Sequence, residues 1–446
     1  MNKIMRLAVC AMIGMACTSL YAQTTETAYF LDGNIYRHDM NPAIGNDKNY
    51  VAIPALGNLN VGFGGNMGLK NFLFVKNGQT VTFMHPSVTA QEVMKNIRDN
   101  NRMNEELKVQ LLSFGFKSGK GYSTFELNVR ENVNAIVPGS FFDMAKGGLT
   151  NKRYEVKNLS GHGDAFVELA LGHSHDINEK LRIGAKLKVL LGAGNADIDL
   201  DNAYLDCDEN NGITATASGK VQTSAAGLIM KRDEEGFFDG FDFDSHGVGG
   251  FGLAVDLGAE YKINDDFKVS AALLDLGFIN WKNNLTGSIN GTVATSDYTF
   301  NMNDGTYTNA RGEEIGDAFD AFNIRNEGDK GARTRALGAT LNIGGEYKAP
   351  FYDKLKFGLL NTTRLQGKYT WTDFRLSANV SPAKWFGAGV SVAAGTYGAN
   401  VGWIIDFHPK GVGLFIAMDR LLGKLSKQGV PLSSNAELNI GVNVLF

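Results

Sequence analysis

The last nine residues of the chain are Leu438-Asn439-Ile440-Gly441-Val442-Asn443-Val444-Leu445-Phe446. In an extended strand, successive side chains point to opposite faces, so every second residue shares a face. One face here is wholly apolar and carries Leu438, Ile440, Val442, Val444 and Phe446, whereas the other face is mostly polar or small. Such a strand suits a transmembrane β-barrel, in which one face meets lipid and the other faces the lumen.

The same alternation recurs along the chain, for example over residues 181–192, 251–262 and 337–347. Each run has at least the roughly 9–11 residues that a tilted strand needs to cross a bilayer. The runs together predict an all-β fold, a transmembrane antiparallel β-barrel of about 14 strands, an even number as in bacterial barrels. The predicted strands are 51–66, 107–117, 122–132, 162–176, 181–195, 248–262, 268–281, 335–348, 355–365, 369–380, 385–396, 399–408, 412–420 and 435–446.

Composition and charge agree with this fold class. The 446 residues include 54 glycines and 8 prolines, and a closely packed, strand-rich chain tolerates glycine better than proline. The formal net charge of -4 gives no sign of a nucleic-acid partner. Beyond residue 22 there is no run of about 18 apolar residues, which excludes membrane-spanning helices.

The N-terminal residues predict a cleaved signal peptide. Lys3 and Arg6 precede an apolar region, and Ala22 supplies the small residue before the cut. An alternative is a lipidated cysteine at Cys17. After cleavage only Cys207 remains, so no internal disulfide is expected even in an oxidising compartment. The predicted domains are the signal peptide at 1–22, an N-terminal periplasmic segment at 23–50 and the barrel at 51–446.

Short and long connections alternate through the first eight predicted strands. Barrels of the bacterial outer membrane have tight periplasmic turns and long outer loops, so this order predicts that both termini lie in the periplasm. Aromatic residues at the strand ends beside the short connections, such as Tyr261 and Phe407, fit the membrane–water interface. The long connections are those near 67–106, 133–161, 196–247 and 282–334, and two later outer connections, near 366–368 and 396–399, are short.

The face opposite the apolar one carries charges of both signs on neighbouring strands. A charge that faces lipid near the midplane costs about 2–4 kcal/mol, so we expect these residues to face the lumen. Mixed signs predict an interior that is partly filled by ion pairs and loops. The candidate lumen-facing charges are Arg182, Lys186, Lys188, Asp256 and Glu260.

The segment 86–105 departs from the period of two. Thr89 and Glu92 have the spacing of a capping box, and Val93 with Ile97 makes a short apolar stripe. The pattern predicts one short helix in the first outer loop, and closing the barrel mouth is a simpler role for it than binding a ligand.

Several motifs suggest chemistry, but each lacks the context that the chemistry requires. The glycines of 247–252 match a dinucleotide pattern, yet they open a strand instead of linking a strand to a helix. His173 and His175 share a strand face, but there is no third ligand near them in the sequence. We therefore predict no catalytic residue, no cofactor site and no metal site, and we expect that the protein is not an enzyme.

The acidic run Asp197, Asp199 and Asp201 resembles the opening of a calcium loop. Its sixth position is Asn202 instead of glycine, and no glutamate closes it. Solvated acidic residues on a strand extension explain the run, and weak calcium binding by this loop stays open.

A short element near the predicted mature N-terminus, Met40-Asn41-Pro42-Ala43, precedes the first strand. An Asn-Pro-Ala element at this position resembles the long-chain fatty-acid transporter superfamily of outer-membrane barrels, including its type IX secretion relatives. The resemblance implies a 14-strand barrel with an N-terminal hatch in the lumen, which here would be residues 23–49. Asn41, Pro42 and Ala43 also suit a turn before the first strand, since proline fixes its own φ, and the two interpretations are compatible.

Three further stretches resemble an uncharacterised family of Bacteroidota outer-membrane β-barrels, a domain of unknown function. They are Leu111-Leu-Ser-Phe-Gly-Phe116, Asp256-Leu-Gly-Ala-Glu-Tyr261 and Asp275-Leu-Gly-Phe-Ile-Asn-Trp281. This resemblance implies the barrel architecture and brings no activity with it.

The C-terminal pattern that ends in Phe446 resembles the signal read by the barrel-assembly machinery, so that machinery and outer-membrane lipid are expected partners. For function, the sequence favours an integral outer-membrane transporter or channel for small molecules, hydrophobic ones among them. This hypothesis predicts an apolar pocket under the outer loops. The alternative is a non-conducting scaffold or docking barrel for a secretion or surface-assembly machine, which predicts a plugged lumen and an exposed apolar patch.

Overall fold

The computed structural model describes residues 25–67, 69–147, 151–208, 212–295, 299–301, 306–308, 322–420 and 436–446. The predicted signal peptide, residues 1–22, lies outside the described residues. Within the described part of the chain, no helix has both the length and the apolar character that are needed to cross a membrane.

The described strands form a closed antiparallel barrel of 14 strands, so the predicted strand number is confirmed. The barrel closes because the first strand pairs with both the second and the last. The strands are β1 (Tyr50–Ala52 and Leu59–Gly65), β2 (Asn100–Ser118), β3 (Gly121–Pro138), β4 (Ser160–Asp176), β5 (Leu181–Asp208), β6 (Gly250–Lys262), β7 (Phe267–Trp281), β8 (Arg333–Ala336 and Ala339–Lys348), β9 (Leu355–Leu365), β10 (Trp371–Ala383), β11 (Phe386–Gly395), β12 (Gly398–Phe407), β13 (Val412–Met418) and β14 (Ala436–Leu445).

Side chains alternate between the two faces of the barrel wall as the period of two predicts. On β9, Leu359 is 55% exposed and Leu360 is 1% exposed, and on β11 the pair Val390 and Ser391 is 59% and 3% exposed. The outward face is a belt of apolar side chains, whereas the inward face is rich in buried polar and charged groups. This division is the one that a wall between lipid and a polar lumen requires, so the barrel is a transmembrane one.

The two ends of the barrel differ in their connections. At one end, which we call the short-turn end, tight turns join the strands, and both Tyr50 and Leu445 lie there. Aromatic side chains at this end are partly exposed, as expected at a membrane–water interface. The opposite end carries the long connections, and we call it the long-loop end.

The prediction that 196–247 and 282–334 are loops was incomplete. Strand β5 runs on to Asp208, and three more strands continue the barrel sheet beyond the rim, because the alternating pattern persists in these segments. Buried apolar residues such as Leu200, Val221 and Ile289 line one face of this extension. We call it the extended wall, and it consists of residues 194–208 of β5 with Gly212–Ala225, Leu285–Thr295 and Arg325–Asp329.

Smaller elements complete the long-loop end. The predicted capping box is present, since the Glu92 amide donates to the Thr89 hydroxyl (3.2 Å) and the Thr89 amide donates to the Glu92 carboxylate (2.9 Å). The helix that follows is short. The helices are Leu69–Phe72, Ala90–Met94 and Gly139–Gly147, with 3-10 turns at Glu26–Ala28, Arg37–Asp39 and Gly367–Tyr369, and the remaining strands are Leu73–Lys76, Gln79–Thr82, Arg153–Glu155, Leu228–Arg232, Phe238–Phe243, Thr299–Asn301 and Thr306–Thr308.

The two faces of β9 should tolerate a new charge very differently. Leu359→Lys sets an ammonium group against lipid, which costs about 2–4 kcal/mol near the midplane. Thr362→Lys, the matched control, sets it in the lumen, where the cross-strand neighbour of Thr362 is Asp373. Urea titration of the refolded proteins in lipid vesicles measures both stabilities. Equal losses in the two variants would show that Leu359 does not face lipid.

Candidate functional site

The first described residues do not lie in the wall but inside the barrel. The segment 25–49, which we call the hatch segment, crosses the lumen and contacts strands on different sides. The Thr27 amide donates to Asp419 beside β13 (2.8 Å), and Tyr29 bonds Ser270 on β7 (2.9 Å). The Tyr36 hydroxyl donates to Asn443 on β14 (2.5 Å). The segment therefore fills the lumen in the manner that the family resemblance implied.

The Asn-Pro-Ala element serves both as a turn and as a docking point. The Ala43 amide donates to the Asn41 side chain (2.9 Å), which closes the turn. Gly184 on β5 and Gly258 on β6 pair directly across the two strands. A Cβ on Gly184 would lie 2.1 Å from the Pro42 carbonyl oxygen, and one on Gly258 would lie 2.1 Å from the Asn41 side chain. The two glycines thus let the hatch segment approach the wall closely.

A buried cluster of alternating charges fixes the middle of the hatch segment. Asp39 contacts Lys108 (2.7 Å) and Lys186 (3.1 Å). Glu126 contacts the same two lysines, at 3.4 and 2.6 Å. We call these four residues and His38 the central cluster. Because both carboxylates and both ammonium groups are withdrawn from water, each charge depends on its partners.

Part of the central cluster has the donor chemistry of a metal site. Ligand atoms of His38, Asp39 and Glu126 lie within 4.8 Å of one another. However, Lys108 and Lys186 contact the same carboxylates, and the His38 Nδ1–H donates to a backbone carbonyl. A metal ion would have to displace two ammonium groups, so the residues present suit ion pairing better than metal binding.

A second cluster lies beside the first on strands β3 to β7. Arg130 donates two hydrogen bonds to Asp275 (both 2.8 Å) and one to Glu168 (2.7 Å). Lys188 contacts Asp256 (2.8 Å) and Asp275 (2.6 Å). Asp275 has a φ of 57°, which is uncommon for a residue with a side chain, so its backbone is held in a sparsely populated region.

A third cluster anchors the start of the hatch segment. The Arg375 guanidinium contacts Glu26 (2.8 Å), Asp373 (3.2 Å) and Asp419 (3.6 Å), and it is 1% exposed at its side chain. The Thr27 and Ser391 hydroxyls lie 2.7 Å apart next to it. Polar contacts therefore tie the hatch segment to the wall at its start as well as at its middle.

The five candidate charges of the inner face divide into two groups. Lys186, Lys188 and Asp256 belong to the central and second clusters. Arg182 and Glu260 lie nearer the short-turn end, where Arg182 contacts Asp176 (3.2 Å) and Glu260 contacts a lysine of β7 (3.5 Å). Sequence reasoning missed the partners Asp39, Lys108 and Asp275, because no local pattern links residues that meet only across the lumen.

The other sequence candidates lie away from the clusters. Leu438, Ile440, Val442, Val444 and Phe446 are on the outward face of β14 or just after it, opposite the buried Asn439 and Asn443. His173 and His175 are exposed near the short-turn end, with ring centroids 5.9 Å apart. The glycines of 247–252 lead into β6, as expected.

The calcium-loop hypothesis for the acidic run is not supported. Asp197 contacts His162 (2.8 Å), Arg333 (3.0 Å) and Arg335 (2.9 Å). Asp199 contacts Lys368 (2.6 Å). Both carboxylates therefore already have cationic partners within the protein.

A cavity of about 90 Å³ lies between the hatch segment and the long-loop end. Since one buried water needs roughly 10–15 Å³ by this measure, the cavity has room for about six to nine waters or a solute of similar size. Its wall includes charged residues of the central and second clusters together with a few apolar side chains such as Phe166 and Leu337. This cavity is therefore polar, because the inward charges converge at this level of the lumen, and the apolar pocket expected under the outer loops stays a prediction.

The connection 366–370, which we call the outer cover, lies at the long-loop end between Arg364 and Trp371, two residues of the cavity wall. It joins β9 to β10 and reaches strands on the far side of the barrel, where Tyr369 stacks on His162 with ring centroids 6.3 Å apart. Burial raises the pKa of Tyr369 to about 12, so its phenol stays protonated. Further contacts of the outer cover include Gln366 with Asn134 (3.3 Å), Lys368 with Asp199 (2.6 Å) and Thr370 with Arg102 (3.0 Å).

The sequence matches the family described as "Family of unknown function (DUF5723)" over residues 42–419. The chain belongs to this family. The match begins within the Asn-Pro-Ala element and ends beside β13, so it covers most of the barrel. The expected origin in Bacteroidota stays a prediction.

No curated protein matches the chain in sequence. Among solved structures, the chain is similar to the Ralstonia pickettii toluene transporter TbuX, with 10% identity, a TM-score of 0.44 and coverage of 95% of this chain and 98% of that chain. The Pseudomonas putida toluene transporter TodX has 9% identity and a TM-score of 0.39, with coverage of 96% and 98%. A Pseudomonas aeruginosa FadL homologue has 10% identity and a TM-score of 0.38, with coverage of 96% of this chain and 98% of that chain.

Removing one charge from the central cluster should strongly destabilise the protein. Lys186→Met leaves Asp39 and Glu126 to share Lys108, and loss of one partner from a buried ion pair costs about 3–5 kcal/mol. Arg182→Met, the control, removes a partly exposed partner of Asp176 and should cost less than about 1 kcal/mol. Urea unfolding of the refolded proteins measures the free energy of unfolding of both variants. Similar small losses would show that the cluster does not hold the hatch segment in solution.

Proposed function

We propose that the protein is an outer-membrane channel or transporter for small water-soluble solutes, with the hatch segment as its gate. The observation that carries the proposal is a cavity of about 90 Å³ in the lumen, lined on one side by Glu26, Asp39 and Met40 of the hatch segment. In this proposal, residues 1–22 direct export, and the outward face of β14 with Phe446 is the signal for the assembly machinery.

The way in which the hatch segment is held supports a gating role. Its contacts with the wall include hydrogen bonds from Thr27, Tyr29 and Tyr36 and ion pairs of Asp39. Water and a polar solute can replace the hydrogen bonds at modest net cost, since a typical protein hydrogen bond contributes only about 0.5–1.5 kcal/mol relative to water, whereas release of Asp39 requires that water or the solute replaces its ion pairs. A segment that is held in this way can leave part of the lumen without unfolding the barrel.

The lining of the cavity favours a water-soluble solute over a hydrophobic one. An apolar molecule would displace water from the cavity wall, whose charged residues, such as Arg130, Asp256 and Asp275, would then have only their ion-pair partners. The ion pairs of these groups offset only part of the solvation that they lose when water leaves. Selection for hydrophobic molecules, which the sequence suggested, would therefore oppose the chemistry of this lumen.

A non-conducting docking barrel is the second candidate function. The filled lumen favours it, and so do the exposed apolar side chains at the short-turn end, Phe351 (77% exposed) and Trp385 (50% exposed). The two candidates differ in whether release of the hatch segment opens a path through the barrel.

A disulfide lock tests the gate. The double variant Thr27→Cys/Ser391→Cys replaces two hydroxyls that lie 2.7 Å apart, one on the hatch segment and one on β11. Oxidation should lock the hatch segment and abolish conductance in planar bilayers, and a reductant should restore it. The mature chain has one other cysteine, Cys207, which is buried in the extended wall.

The control pair is Thr363→Cys/Thr372→Cys, whose hydroxyls lie 2.8 Å apart on the neighbouring strands β9 and β10. Its disulfide leaves the hatch segment free, so its conductance should be the same when oxidised and reduced. A barrel that is silent in the oxidised and reduced forms of both variants would refute the channel and favour the docking barrel.

A further inference from the structure

Two ion pairs cross the lumen without any residue of the hatch segment. Glu106 on β2 and Arg364 on β9 approach to 3.4 Å, and Arg130 on β3 donates two hydrogen bonds of 2.8 Å to Asp275 on β7. The strands β2 and β9, the second and the ninth of 14, lie half-way round the barrel from each other. The first pair therefore divides the lumen, and the second bridges strands that are not neighbours in the wall. We call these two ion pairs the crossbars.

The crossbars lie closer to the long-loop end than the central cluster does. On β2, Glu106 lies two residues beyond Lys108 in the direction of the long-loop end, and on β3, Arg130 lies four residues beyond Glu126 in the same direction. All four residues of the crossbars line the cavity. A solute that enters from the long-loop end therefore meets the crossbars before it meets the middle of the hatch segment.

Groups on the wall strands hold the crossbars in position. The Asp275 amide donates to Asp256 on β6 (2.7 Å), and the Arg364 guanidinium donates to the Thr340 hydroxyl on β8 (3.4 Å). A buried ion pair resists separation, because each charge would be left without water and without its partner. Release of the hatch segment, which supplies none of these groups, therefore leaves the crossbars in place.

We propose that the crossbars form a fixed sieve, which limits the size of the solutes that can pass through the lumen. A solute that fits the cavity, such as glycerol, passes beside the crossbars, whereas a disaccharide such as sucrose meets the side chain of Arg130 or Arg364 across its path. The hatch segment then decides when the barrel opens, and the crossbars decide which solutes enter. The selection of solutes rests on the proposed function, whereas the barrier between the long-loop end and the hatch segment does not.

The first test measures access to the hatch segment. Met40 is a buried residue of the hatch segment that lines the cavity, so Met40→Cys places a thiol on the hatch side of the crossbars. In the full-length refolded protein in detergent, small N-ethylmaleimide should modify this thiol faster than bulky fluorescein maleimide does. Adding Arg364→Ala/Glu106→Ala removes one crossbar and should raise the ratio of the fluorescein maleimide rate to the N-ethylmaleimide rate about tenfold.

A second double variant, Arg130→Ala/Asp275→Asn, removes the other crossbar and should have the same effect. Both double variants remove the two charges of a pair together, so neither member is left buried alone, and asparagine tolerates a positive φ. The control, Lys231→Ala/Asp242→Ala, removes an exposed ion pair (2.8 Å) and should leave the ratio unchanged. Modification of the buried Cys207 would mark an unfolded variant, and the other double variant then decides.

The second test measures the passage of solutes. Liposomes that contain the unsubstituted protein should swell in glycerol and not in sucrose, whereas liposomes that contain either crossbar variant should swell in both. An unchanged ratio of labelling rates in both crossbar variants, or passage of sucrose through the unsubstituted protein, would overturn the sieve. A raised ratio of labelling rates in variants whose liposomes never swell would uphold the crossbars as a barrier and refute the channel instead.

Discussion

The ion pairs of Asp39 with Lys108 and Lys186 are the constraint on which the organisation of the lumen depends. One carboxylate from the hatch segment lies between two ammonium groups of the wall, and Glu126 completes the ring. Charges withdrawn from water in this way are stable only together. The position of the hatch segment, the floor of the cavity and the closure of the lumen at this level all follow from that one arrangement.

The period of two explains how a chain of ordinary polarity builds such an interior. Each crossing strand presents apolar side chains outward and is free to present Asn, Ser and charged residues inward. The lipid-facing side supplies the hydrophobic environment, so the inner side does not need an apolar core. The lumen can therefore hold paired charges, and a cavity between them remains polar.

Local patterns predicted the wall well and the interior only in part. Strand number, the facing of Lys186 and Asp256 and the capping box at Thr89 follow from neighbours in the sequence, which a single sequence displays. The pairing of Asp39 with Lys186 joins residues 147 positions apart, and only the closed barrel brings them together. The strands of the extended wall were missed because nothing in the pattern around Asp197 marks where β5 leaves the membrane.

The extended wall makes the long-loop end asymmetric, because the wall is higher on one side of the barrel than on the other. Residues 200–208 of β5 extend past the start of β4 and add roughly 30 Å of strand, at about 3.3 Å per residue. The short connections at 366–370 and 396–397, on the other side of the barrel, add almost no height to the wall. A bulky object that approaches along the membrane, such as a neighbouring protein or an antibody, therefore meets a screen on one flank. Among the described residues, the wall is lower on the other flank, where the outer cover lies.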